Sequence, residues 1–162
     1  MKRKNALNLL AGLLLAALTL IAAPAAHAGQ CSSAGVAGTW GFTTIGTVVG
    51  IGPRASLGIF TLEATGDTTG NLLNGKATAS LNGSVTDEKF SGTYTVNPYC
   101  TGKLAIDIFD LSGNKILIAT LDLVFDNNSR ELRAIFTSAV LPNGAALATV
   151  ITVQANRMFS DR

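Results

Sequence analysis

Cys31 and Cys100 are the only thiols in the chain, and His27 is its only imidazole. A cysteine nucleophile needs a base beside it, and a metal site needs several nitrogen, sulfur or carboxylate ligands brought together. The two thiols lie far apart, and no CxxC pair marks a redox couple. A disulfide between Cys31 and Cys100 is therefore the expected use, tying a loose N-terminus to the turn after "GTYTV". Lipidation of Cys31 is the alternative, although Gln30 precedes it where a lipoprotein site wants a small residue.

The carboxylates are nearly as quiet. In the strand register set by the turns, Asp107, Asp110 and Asp122 find outward or rim partners, which leaves no catalytic pair among them. Glu88 differs. A two-residue turn at Asn82-Gly83 sets it opposite Ala77, on the inner side. The same register sets Lys76 against Lys89, so "TDEK" is expected to hold a bulge or an open rim instead. Were Glu88 buried near Tyr94, the two could serve a cyclase-like reaction that needs little acid–base machinery.

The N-terminus bears on all of this. Basic "MKRKN" leads into the apolar run "ALNLLAGLLLAALTLIAA" and then "PAAHA", which reads as an export signal cut after Ala28. An uncleaved anchor is the alternative, since the run is almost long enough to cross a bilayer. Cleavage leaves residues 29–162 as one domain and removes Lys2, Arg3, Lys4 and His27. The exported chain then has neither a Ser-His-Asp triad nor a histidine metal site, and no cofactor is expected. No stretch of the exported chain clusters Lys and Arg, so nucleic acid is not an expected partner.

From Gly35 onward the chain is rich in Gly, Thr, Val and Ile, with turn signals about every dozen residues and no apolar stripe at helical spacing. Eight strands are expected: Thr39–Thr47, Ser56–Ala64, Gly75–Asn82, Phe90–Asn97, Lys103–Leu111, Lys115–Phe125, Glu131–Ser138 and Ala145–Arg157. A turn at Ser112-Gly113 pairs Asp110 with Lys115 and Lys103 with Asp122. A turn at Asn127-Asn128 adds Arg133 to Asp122, giving one charged row across three strands. The same parity turns Leu104, Ile106, Ile108, Leu117, Leu121, Leu123, Phe125, Leu132 and Phe136 inward. A turn at Pro142-Asn143 adds Leu147, Ile151 and Val153.

Consecutive antiparallel strands with one apolar face point to an all-β fold, an eight-stranded antiparallel up-and-down barrel without edges. A two-sheet sandwich uses the same pattern. A short outer-membrane barrel is disfavoured, because the aromatics form no girdles and the outside carries the charged row. Outward Ile116, Ile118, Val124, Ile135 and Val150 read as a patch for a homo-oligomer interface.

"GTW", Gly38 to Trp40, opens the first strand and Arg157 ends the last with inward parity. The pair resembles the lipocalin and wider calycin pattern. There a G-x-W tryptophan packs beneath an arginine as a cation–π lid on the closed base, which implies structural roles for Trp40 and Arg157. The chain departs from lipocalins in lacking a C-terminal helix, since only "MFSDR" follows Arg157. The layout "C…AGTWGF…GTYTVNPYCTG" also resembles a group of small secreted bacterial proteins. That resemblance implies export, the disulfide and a calycin-like barrel, but no substrate.

"GTVVGIGPRASLG", Gly46 to Gly58, reads as a long mouth loop able to admit a greasy ligand, or as a plain meander corner. Phe60, Phe90, Tyr94, Phe136 and Glu88 are the candidate cavity lining. The expected function is non-catalytic binding of a small apolar molecule by a secreted or periplasmic barrel. The alternative is an interaction module with a filled interior that acts through its outer surface.

Overall fold

The computed structural model describes residues 31–126 and 128–158, and the leader read at 1–28 lies outside them. One turn of helix, α1 (Ser33–Val36), precedes eight strands. These are β1 (Gly38–Val48), β2 (Gly52–Ala64), β3 (Thr69–Leu81), β4 (Ser84–Val96), β5 (Thr101–Phe109), β6 (Lys115–Asp126), β7 (Glu131–Val140) and β8 (Thr149–Arg157). Each pairs with the next, and β8 returns to β1 to close the barrel. Period-two alternation decides which side chains go in. On β6, Ala119, Leu121, Leu123 and Phe125 are buried while Ile118, Thr120, Asp122 and Val124 face out.

Several registers differ from those the charges indicate. Between β3 and β4 the Asn82-Gly83 turn does form, both residues having positive φ (50° and 86°), as a tight hairpin turn requires. Lys76 therefore faces Lys89, and Glu88 faces Ala77. Both lysines are exposed, so their repulsion is screened and the turn prevails. The irregularity lies farther along, between Leu72 and Gly75, and not at "TDEK".

Between β5 and β6, Lys103 and Asp122 do pair, at 2.7 Å. Asp110 does not meet Lys115. Its carboxylate accepts from the side-chain amide and the backbone N–H of Asn114, which hold it below the usual carboxylate range. Lys115 bonds Asp107 instead, at 2.7 Å.

Between β6 and β7 the turn is longer than two residues and the register slides by two, putting Asp126 opposite Glu131 and Leu121 opposite Phe136. Arg133 thus bonds Asp126, not Asp122, and the three-strand charged row does not exist. A slide of two keeps the side chains from Glu131 to Phe136 on their expected face, but a further one-residue shift between Thr120 and Leu121 then turns Ala139 inward.

The expected outer patch is likewise broken up. Ile118 lies across from Asp107, Ile135 from Asp122 and Val124 from Arg133. The longer uncharged outer surface is elsewhere, with Val150, Ile45 and Leu57 on β8, β1 and β2. Gly46 to Gly58 is not a long loop, since β1 runs to Val48 and β2 begins at Gly52. β8 begins at Thr149, and Leu147 remains half-buried at the mouth.

At the opposite end, residues 31–37 plug the base. The Ser33 N–H donates to the Asp67 carbonyl at 3.0 Å, and the Ser33 hydroxyl bonds the Gly66 carbonyl. Trp40 Nε1 donates to the Val36 carbonyl, and the Tyr94 hydroxyl donates to the Ser33 carbonyl, both at 3.1 Å. Gly70 lets Tyr94 lie across β3, because a Cβ there would sit 2.3 Å from its ring. The Cys31–Cys100 disulfide fixes the plug from the other side and closes a 69-residue separation. Above it, Trp40, Phe42, Phe60, Phe90 and Phe125 pack ring against ring, with centroids 5.5 to 6.4 Å apart.

Changing both cysteines to serine is expected to cost roughly 2–4 kcal/mol in urea denaturation while the far-ultraviolet β signature survives. Unchanged stability would show that the plug holds without the bridge. Burial also pushes the Tyr94 hydroxyl above the ordinary tyrosine range. The unfolded chain therefore gives up that proton first. Stability is fully present below the ordinary tyrosine value and is lost as pH rises through the folded one. Tyr94→Phe should flatten that alkaline loss, whereas an equally steep loss in the variant would place its origin elsewhere.

Candidate functional site

The mouth half of the interior takes its charged side chains from β2 and β4 and mostly apolar ones from β5–β8, with Val48 of β1 and Leu81 of β3 apolar as well. Counting back along β2 from inward Phe60, the same face carries Ser56 and then Arg54. Arg54 and Glu88 sit on β2 and β4, with β3 between them. The inward residues of β3 at that level are Ala77 and Ala79, small enough for the arginine to reach across. The guanidinium clasps the carboxylate with two bonds, Nη1 to Oε1 at 3.2 Å and Nη2 to Oε2 at 2.7 Å. The two side chains are only 13% and 7% exposed. Beside them the hydroxyls of Thr44 and Ser56, directly paired across β1 and β2, are bonded at 2.7 Å and buried.

This cluster divides two spaces. Toward the mouth lies a cup of about 340 Å³, lined on its apolar side by Ile108, Leu117, Phe136, Ala139, Leu147 and Ile151. Toward the base only about 50 Å³ remains above the aromatic floor of Phe42, Phe60 and Phe90. Arg54, Glu88, Ile108 and Phe136 border both spaces. The interior is thus packed below and hollow above. A larger concavity of about 890 Å³ lies on the outer face around Lys103, Asp122 and Arg133, but it is open and crossed by an exposed ion pair.

The residues singled out from sequence go to different places. Phe136 and Glu88 reach the cup, and Phe60 and Phe90 form its floor. Tyr94 does not reach it, being committed to the plug through Ser33. The Glu88–Tyr94 acid–base pair is therefore not assembled, and both carboxylate oxygens of Glu88 are engaged by Arg54. Trp40 and Arg157 are cross-strand neighbours at the base. The Arg157 guanidinium donates to the Gly35 carbonyl at 3.2 Å and to that of Ala37. Among the described residues the cation over a ring is Lys115, its Nζ 5.8 Å from the centroid of Phe109. Among the described residues no three His, Cys, Asp or Glu side chains converge.

Sequence reading missed Arg54, Thr44 and Ser56 as site residues. The signal was present, because the parity fixed by Phe60 and Leu62 carries back to Arg54 once β2 is allowed to start before Ser56.

No protein-family model matches the chain, and no curated protein matches it. Among solved structures it is similar to EF1p2_mFAP2b bound to DFHBI, with a TM-score of 0.57 and 16% identity over 76% of this chain and 94% of that one. It is also similar to the redesigned β-barrel mFAP1 bound to DFHBI, with a TM-score of 0.54 and 15% identity over 77% and 97%. A third neighbour is a barrel from the de novo design of a fluorescence-activating β-barrel, with a TM-score of 0.52 and 13% identity over 78% and 96%. At these identities the likeness is one of fold.

Removing one partner of the buried pair leaves the other charged and desolvated. Glu88→Leu alone is expected to destabilise by about 3–5 kcal/mol in denaturant titrations. Adding Arg54→Met should recover most of that loss. Additive losses in the double variant would mean that the two groups do not act as a unit.

Proposed function

We propose that the protein is an exported calycin-type barrel that binds one small, largely apolar molecule in its mouth cup without transforming it. The observation that carries this reading is the cup itself. Its volume of about 340 Å³ falls at the lower end of small-molecule sites, and apolar side chains with a few convergent polar groups line it. The Cys31–Cys100 disulfide supports an oxidising compartment, as does the leader expected at residues 1–28. Among the described residues no helix is long and apolar enough to cross a membrane.

Eight-stranded barrels are either just filled by side chains or hold one small ligand. EF1p2_mFAP2b and mFAP1 hold DFHBI, which is a property of those barrels. For this chain the support comes from its own interior. With Glu88 clasped by Arg54 and Tyr94 committed to the plug, the cup has no free base beside a free acid, which favours binding over catalysis.

The test is an uncharged fluorescent probe such as Nile red. It is expected to brighten and blue-shift on binding the wild-type protein. Thr86→Trp, which fills the rim from an exposed position bordering the cup, should weaken binding by about tenfold or more without altering the melting transition. A probe that ignores the wild-type protein, or binds the Thr86→Trp variant equally well, would remove the cup from consideration.

A further inference from the structure

Resting on the cup reading, the arrangement of its polar wall points to the chemistry of the ligand. We propose that the ligand presents an uncharged hydrogen-bonding group, a hydroxyl, carbonyl or amide, to the Arg54–Glu88 pair. We further propose that the wall rejects carboxylates and amines of the same shape.

Of the residues bordering the cup, only Arg54 and Glu88 carry charge, and they neutralise each other. A buried ion pair holds only while both members stay matched. A carboxylate that took Arg54 for itself would strand Glu88, desolvated, beside a second negative charge. One that left the pair intact would lie buried next to Glu88 without a counter-ion. An ammonium meets the mirror image of both problems at Arg54. No other cation or anion lines the cup to compensate.

A neutral polar group faces no such barrier. A guanidinium has five N–H donors, of which Glu88 engages two. Ser84 and Thr86 also border the cup, and their hydroxyls can donate or accept. The opposite wall of Ile108, Leu117, Phe136 and Ile151 offers only apolar contact. The ligand this describes is a small neutral amphiphile, its polar end toward the Arg54–Glu88 pair and its apolar body against β5–β8.

The experiment uses the disulfide-bonded protein with Nile red bound and measures displacement at neutral pH by decanol, decanamide, decanoate and decylamine. Decanol and decanamide are expected to displace the probe, with decanoate and decylamine weaker by about tenfold or more. Glu88→Gln leaves Arg54 unneutralised, and decanoate should gain about tenfold or more on decanol. The double variant Arg54→Met with Glu88→Leu should lose the discrimination and rank the four by apolarity alone. Should Glu88→Gln fail to fold, the wild-type ranking and the double variant decide. Decanoate binding the wild type as tightly as decanol, or unchanged discrimination in the double variant, would overturn the proposal while leaving the cup in place. Absence of Nile red binding would overturn both.

Discussion

The ladder between β1 and β8, from Trp40 opposite Arg157 to Val48 opposite Thr149, is the interaction on which the rest of the molecule depends. Without it the eight strands form an open sheet with two unpaired edges, and the inward side chains have nothing to converge upon. With it, alternation along each strand sorts residues into one interior. The position of Arg54 relative to Glu88, and of Trp40 relative to the plug, follows from that closure.

Closure alone does not say whether a barrel is solid. Here the two halves are resolved differently. At the base, large rings and the plug fill the volume, and polar side chains bond carbonyls there: Trp40 to Val36, Tyr94 to Ser33, and the two Arg157 Nη atoms to Gly35 and Ala37, with Arg157 Nε left unpartnered. Toward the mouth, the small Ala77 and Ala79 of β3 leave room for a satisfied ion pair, Arg54 with Glu88, at the bottom of the cup. Such groups hold their geometry without filling the cup. The polar wall is therefore preorganised, as a binding surface must be to hold affinity.

Much of the fold was legible from parity. The eight strands, their order and the inward set from Leu104 to Val153 depend only on alternation and turn positions. A register error of two residues, as between Leu121 and Asp126 on β6 and their partners on β7, leaves parity intact. The cross-strand ion pairs were less legible because exposed charges are weak guides. Lys76 tolerates Lys89, and Asp110 prefers the amides of its own turn to Lys115. Loop lengths misled for a related reason, since an Arg or a Gly-rich stretch looks like a loop until the strand beyond it is traced back. That concealed Arg54, and with it the reason Glu88 can be buried. The fate of Tyr94 was concealed differently. Its parity is inward, but nothing in one-dimensional spacing says that residues 31–37 fold back beneath it.

The central claim, a single ligand space above an aromatic floor and beneath the mouth, is tested most directly by mapping amide chemical shifts of the labelled protein during titration with decanol. Perturbations are predicted to concentrate at Ile51, Arg54, Thr86, Leu117, Phe136 and Ala139 around the cup. Val36, Tyr94 and the outer residues Lys103 and Arg133 should stay still. Shifts confined to the outer face, or spread through the base with the cup unaffected, would contradict it.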